Sequence, residues 1–188
     1  MSMELVTHLR RMAENNLWSN DRLYRAVLAL QPGELEAPRT SFFPSLKETL
    51  NHILSVDLFY LDMVEEGGVG TKIFDTYVDS GDAKQLAERQ AAFDRRLLAF
   101  CERLTPADLD RRVRTDRGKA GMIPERIGDL LAHLFIHEIH HRGQVHAMLS
   151  GTSVKPPQLD EYFLDYDLRF RRDEVARLGL DDQARTTS

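Results

Sequence analysis

The sequence predicts an all-α protein: a four-helix up-and-down bundle with a long crossover between helices 2 and 3, plus a short C-terminal helix. Three observations carry this prediction. Apolar residues recur at helical spacing over four long segments. Proline, glycine and capping residues fall where such helices should stop and start. There is no internal repeat, and no strand pair is strong enough to seed a sheet.

The first helix is expected from about Leu5 to Leu30, with Leu17, Leu23, Tyr24 and Val27 on its buried stripe, and Pro32 and Gly33 end it. Ser45 with Glu48 three residues on reads as a capping box opening a second helix, through about Val64. Leu46, Ile53, Val56, Tyr60 and Met63 share its broad apolar face, and Gly67, Gly68 and Gly70 stop it. The stretch from Thr71 to Gly81 carries Phe74 and Tyr77 and should pack somewhere, but its conformation is unreadable. A third helix spans about Asp82 to Leu104, with Leu86, Phe93, Leu97 and Phe100 inward, and Thr105-Pro106 starts a turn or short helix. The basic run Arg111 to Lys119 reads as a solvated loop or a small hairpin. A fourth helix is expected from about Pro124, where a proline suits the free N–H groups of a first turn, to Leu149, with Gly151 at its C-cap. After Pro156-Pro157 a shorter helix should run from near Leu159 to near Leu178. Residues 1–180 are thus expected to form one helical-bundle domain, and residues 181–188 a flexible tail. A long link between the second and third of four amphipathic helices is the pattern of a bundle with a crossover.

Composition narrows the classes. At 188 residues and 21.6 kDa the chain can bury one good core. A net charge of -5 argues against a broad electrostatic grip on nucleic acid, and the basic run lacks interleaved aromatics. No run is apolar enough to span a membrane, and the N-terminus lacks a signal-peptide pattern. A single cysteine, Cys101, excludes an intrachain disulfide and a cysteine-rich metal cluster. It lies beside Phe100 and Leu104 and should act as a small buried hydrophobe rather than a nucleophile. A reducing cytoplasm is the simplest setting.

Five of the seven histidines lie between His133 and His146. Residues four apart share a helix face, so His137 and His141 form a pair. On a wheel they fall at the edge of and within the stripe of Ile127, Leu130, Leu134, Val145 and Met148. His133 lies towards the rim, His140 points outward and His146 falls on the other side. Two imidazoles one turn apart can converge on one ion, and a third ligand must come from another helix. His52, on a face shared with Val56, Phe59 and Met63, is the best donor. Three imidazoles with an open water position make a typical catalytic divalent site, and burying three polar rings without a partner is costly. His8 and His140 are expected at the surface, and His133 at the pocket rim.

Residues 137–141 also match H-E-x-x-H, the zinc-peptidase pattern, in which Glu138 would activate a water. The context is wrong for a peptidase. The extended form wants a histidine where Ala147 stands, Glu161 is a poorly placed downstream ligand, and no sheet precedes the motif.

The segment His137-Glu-Ile-His-His-Arg-Gly-Gln-Val-His146, together with Asn51-His52-Ile53 and Asn16-Leu-Trp-Ser-Asn20, resembles the DinB/YfiT-like superfamily in order and spacing over roughly the first 150 residues. The resemblance implies a four-helix bundle with an overhand crossover, with His52, His137, His141 and water around zinc or nickel. It also implies pairing as a homodimer, for which Phe135 and Ile139 offer outward apolar positions unless the C-terminal helix covers them. Trp18 and Asn20 would pack near the bundle's mouth. Gly143 would permit close helix approach, and Gln144 would orient a ligand or pack at the bundle interface. Known relatives include transferases that use low-molecular-weight thiols such as bacillithiol or mycothiol, an isomerase using mycothiol, and members named for induction by DNA damage. Three functions stand as expectations. The first is a metal-dependent thiol S-transferase acting on a small electrophile, since a thiol of pKa about 8.5 ionises when it coordinates a cation. The others are a hydrolase with metal-bound water and Glu138 as catalytic base, and a metal-binding stress protein without turnover.

Overall fold

A computed structural model describes residues 2–180, so the tail expected at 181–188 lies outside the described residues. Four long helices dominate: α1 (Ser2–Leu28), α2 (Leu46–Glu65), α4 (Ala83–Glu102) and α6 (Ile127–Leu149). Short helices α3 (Lys72–Thr76) and α5 (Pro106–Asp110) lie in the links, and α7 (Leu168–Leu178) closes the described chain. The expected bundle, long crossover and C-terminal helix are all present.

Local chemistry sets the helix starts. The Ser45 hydroxyl accepts from the Glu48 backbone N–H at 3.1 Å and opens α2. Asp82 does the same for α4, accepting from Gln85 N–H at 2.9 Å. Two side chains of α2 organise the crossover: Asp62 Oδ2 accepts from the Val69 and Gly70 N–H groups at 3.0 and 2.9 Å where it begins, and Asn51 holds its end. Asn51 Oδ1 accepts from the Tyr77 hydroxyl at 2.9 Å and the Ser80 N–H at 2.7 Å, while its amide donates to Ser80 O at 3.3 Å. The link therefore ends against the start of α2, and α4 runs beside α2 in the same direction: Asn51 meets Ser80, Asp57 meets Gln90 and Glu65 meets Arg96. α6 runs against α2, pairing His52 with His137 and Tyr60 with His133. α1 lies between α4 and α6.

Two expectations near α6, the helix start at Pro124 and the close approach at Gly143, are corrected, and the basic run takes one of its two expected forms. Arg112–Asp116 (β1) and Met122–Arg126 (β2) form an antiparallel hairpin between α4 and α6, the small-hairpin alternative for the basic run. Pro124 pairs with Arg114 inside β2 instead of opening the helix, so α6 begins three residues later, at Ile127. A proline is tolerated at the edge of so short a ribbon. The close helix approach expected at Gly143 is found elsewhere. A Cβ at Gly143 would meet nothing within 4 Å, whereas one at Gly128 would lie 3.2 Å from Leu109 O, where α5 crosses α6.

The C-terminal segment begins its regular helix at Leu168, later than expected, after an irregular stretch and a 3₁₀ turn at Asp165–Asp167. Its strongest ties are to α1. Trp18, fully buried, donates to Glu174 at 2.8 Å, and Arg22 donates to Glu174 at 2.6 Å and to Glu161 at 2.8 Å. Glu161 is thereby committed to α1 and cannot serve as a downstream metal ligand. Phe135, expected on an outward face, is buried in the core.

The core has two apolar clusters, one around Trp18, Leu54, Leu97 and Leu134, the other around Leu23, Leu50, Leu86 and Val145. On every long helix, polar residues fall where one cluster gives way to the other: Asn16 and Asn20, Asp57, Gln90 and Asp94, Glu138 and Arg142, all buried. Among the described residues no helix is long and apolar enough to cross a membrane.

Candidate metal centre

The same level of the bundle carries the histidines. α6 turns two stripes of side chains in different directions. His137 and His141 face α2, while Glu138 and Arg142 face the interior, joined at 2.8 Å as an i,i+4 ion pair. One nitrogen each from His52, His137 and His141 lies within 4.8 Å of the others, and this is the only such group of three or more potential ligands among the described residues. His52 Nε2 and His137 Nε2 stand 3.2 Å apart. The His141 ring centroid is 4.6 Å from that of His52 and 4.4 Å from that of His137.

Surrounding groups orient these rings. Gln144, three residues on from His141 along α6, accepts from His141 Nδ1 at 2.7 Å, which leaves Nε2 of that ring free for a ligand. Phe43 lies against His52 with ring centroids 4.3 Å apart, and its exposed neighbour Phe42 meets it edge-on at 4.9 Å. Phe43 was missed by sequence reasoning, because it sits in an irregular link with no periodicity. His137 Nδ1 is buried without a hydrogen-bond partner among the described residues.

Burial, then the neighbouring His141, pushes the His52 imidazole down to about 4. Burial and the surrounding histidines push His137 down to about 3. Burial lowers His141 too, with the Gln144 contact opposing. All three rings are therefore neutral near pH 7, the state in which imidazole binds a metal. Neutral converging nitrogens, one ring pinned through its far nitrogen and another with an orphaned one, fit a divalent cation.

Other predicted residues fall into place around this cluster. His133 and His140 are exposed, His133 with its ring 4.9 Å from Tyr60 and His140 bonded to Gln144 at 3.2 Å. His8 is exposed, and His146 bonds Pro157 O at 3.0 Å. Glu138 is fully buried on the interior side. Its Oε2 takes Arg142, and its Oε1 lies 3.5 Å from the amide nitrogens of Asn16 and Gln90. Asn20 donates to Asp94 in the same layer. Cys101 is buried, and burial pushes its thiol up to about 12, so it behaves as a hydrophobe.

Fold and site together define a class: four-helix-bundle proteins with a three-histidine cluster, able to chelate a metal, drawn from the second and last long helices. The family model described as DinB family matches residues 1–169, and the chain belongs to that family. It is similar to Protein DinB of Bacillus subtilis (strain 168), at 22% identity over 159 residues that cover 81% of this chain and 91% of that protein. The fold is similar to that of a DinB-like protein from Bacillus subtilis, with a TM-score of 0.57 and 19% identity over 79% of this chain and 96% of that one. A DinB-like protein from Bacillus cereus gives 0.56 and 20% over 75% and 91%.

Proposed function

We propose that this chain is a divalent-metal enzyme with His52, His137 and His141 as its protein ligands, and that it transfers a low-molecular-weight thiol to a small electrophile in the cytoplasm. The observation that carries the proposal is the convergence of three neutral imidazole nitrogens within 4.8 Å. Zinc or nickel suits an all-imidazole set. Such an ion, when bound, supplies the positive charge that favours ionisation of a thiol or water beside it. The chain's own residues do the rest. Gln144 fixes the His141 tautomer, and Phe43 walls the His52 side, with the exposed Phe42 beside it.

The position of Glu138 favours thiol transfer over hydrolysis. A hydrolase of the H-E-x-x-H kind needs this carboxylate as base on water. Here both its oxygens are engaged in the core by Arg142, Asn16 and Gln90. In this reading Glu138 is a positioning residue that holds α6 through Arg142. The test is loss of free thiol, dependent on both metal and electrophile. Glu138→Gln should retain that activity. Metal-dependent release of acid or alcohol without thiol, abolished by Glu138→Gln, would establish the hydrolase instead. Metal binding with neither reaction would leave a metal-binding stress protein.

A further inference from the structure

Behind the histidines, three carboxyl groups from three helices converge on one amide nitrogen. Gln90 Nε2 lies 2.8 Å from Asp57 Oδ2, 3.3 Å from Asp94 Oδ1 and 3.5 Å from Glu138 Oε1. Asp57, Glu138 and Gln90 are 0% exposed and Asp94 2%. An amide nitrogen has two hydrogens and cannot satisfy three carboxylates at once. The remaining donors are unequally shared. Asp94 also receives Asn16 at 3.1 Å and Asn20 at 3.0 Å. Glu138 receives Arg142, the one cation in the layer, at 2.8 Å. Asp57 has Gln90 alone, and its Oδ1 meets no donor among the described residues. Asp57 Oδ2 and Glu138 Oε1 approach the same Gln90 nitrogen.

Three buried carboxylates against a single guanidinium leave uncompensated charge, and a buried carboxyl escapes that cost by keeping its proton. We propose that Asp57 is a neutral carboxylic acid that donates its hydrogen to Glu138, and so positions the Glu138–Arg142 pair behind His137. Burial and Glu138 raise Asp94 as well, but Asp94 also has Asn16 and Asn20 as donors, whereas Asp57 has Gln90 alone, so the proton belongs on Asp57. The other titratable groups interacting with Asp57 are Glu138 of α6, Asp94 of α4 and Tyr77 of the crossover, while Tyr24 of α1 approaches the same layer. Burial first, then Glu138 beside it, pushes Asp57 well above the usual carboxylate range, against the opposing Gln90 contact. This inference does not depend on whether the histidines hold a metal.

The sign of the linkage is fixed. A raised folded-state pKa means that the unfolded chain releases above about pH 3.9 a proton that the folded chain keeps. Stability from this group is complete below that value and is lost as pH rises towards the folded pKa, by about tenfold in the unfolding constant per pH unit. The experiment is carboxyl ¹³C NMR of the full chain labelled at aspartate, with and without zinc, beside denaturant unfolding across pH. One aspartate resonance should keep its protonated position above the pH at which ordinary aspartates ionise, be absent from Asp57→Asn and persist in Asp94→Asn. Asp57→Asn should gain stability over wild type by about tenfold per pH unit as pH rises from about 3.9 towards the folded pKa of Asp57. A wild-type spectrum in which every aspartate ionises in the ordinary range, or a set of protonated signals unchanged by Asp57→Asn, would overturn the proposal. Should Asp57→Asn fail to fold, the wild-type and Asp94→Asn spectra decide: a protonated resonance in both supports it, and its absence from either overturns it. A packing role alone would leave the pH slope flat.

Discussion

The Nε2 atoms of His52 and His137 face each other at 3.2 Å across the α2–α6 interface, and neither ring is protonated near pH 7. Two neutral imidazoles so placed can share at most one hydrogen, and a cation between them and His141 would use every lone pair that the geometry directs inward. The groups that hold these rings in place, and the protons the rings refuse, can each be tested by substitution.

Gln144 accepts from His141 Nδ1 and so aims Nε2 at the cluster. Gln144→Leu should lower metal affinity by about 10- to 100-fold while leaving all three ligands in place. Competition with a chelator of known affinity measures it. Unchanged affinity would remove Gln144 from the account.

Acid should weaken the metal-free fold through the same histidines. Their folded pKa values, about 4 for His52 and about 3 for His137, lie below the unfolded value of about 6.5. Below about pH 6.5 the unfolded chain takes up protons that the folded chain refuses, so this contribution to stability falls as pH falls, until the folded values are reached. Asp57 and Asp94 act with the opposite sign, so the comparison must be between wild type and His137→Gln, whose stability difference should shift in the variant's favour between about pH 6.5 and about pH 4. Imidazole NMR should show the wild-type rings still neutral at about pH 5. Rings that titrate near 6.5 would contradict the burial argument.

Asn51 ties the crossover to α2 immediately beside His52. Asn51→Ala should cost about 1–3 kcal/mol, because it leaves buried partners of the amide unsatisfied. Urea unfolding gives the loss, and limited proteolysis should cut the link between residues 66 and 82 faster than in wild type.

Much of this was legible in the sequence for physical reasons. Helical periodicity located the four long helices, because a buried stripe must repeat every turn. The i,i+4 spacing of His137 and His141 fixed a shared direction before any neighbour was known. For Gln144 the sequence offers two roles, orienting a ligand or packing, and only the contact with His141 chooses between them. The features that could not be read depend on contacts distant in sequence. Phe43 reaches His52 from an aperiodic link, and Pro124 looks like a helix start until Arg114 is seen paired with it. The acid layer was invisible for the same reason, since Asp57, Gln90, Asp94 and Glu138 each look like ordinary helix polar residues until the bundle brings them together.

Ile136 and Ile139 remain exposed on α6, at 66% and 51%. Together with the family resemblance they support a homodimer. Light scattering over a concentration range should give a mass of twice the 21.6 kDa chain, and substituting both residues by glutamate should return it to the monomer. A wild-type mass that stays at that of one chain would contradict it.

The central claim is that ligands from two helices meet on one ion. Metal per chain, measured by mass spectrometry after gel filtration under metal-limited loading, tests it most directly. Wild type should carry one zinc or nickel per chain. His52→Ala, His137→Ala and His141→Ala should each lose most of it, while His140→Ala and Glu138→Gln should keep it. A folded His52→Ala protein that binds metal as tightly as wild type would contradict the account, because α6 alone would then hold the ion.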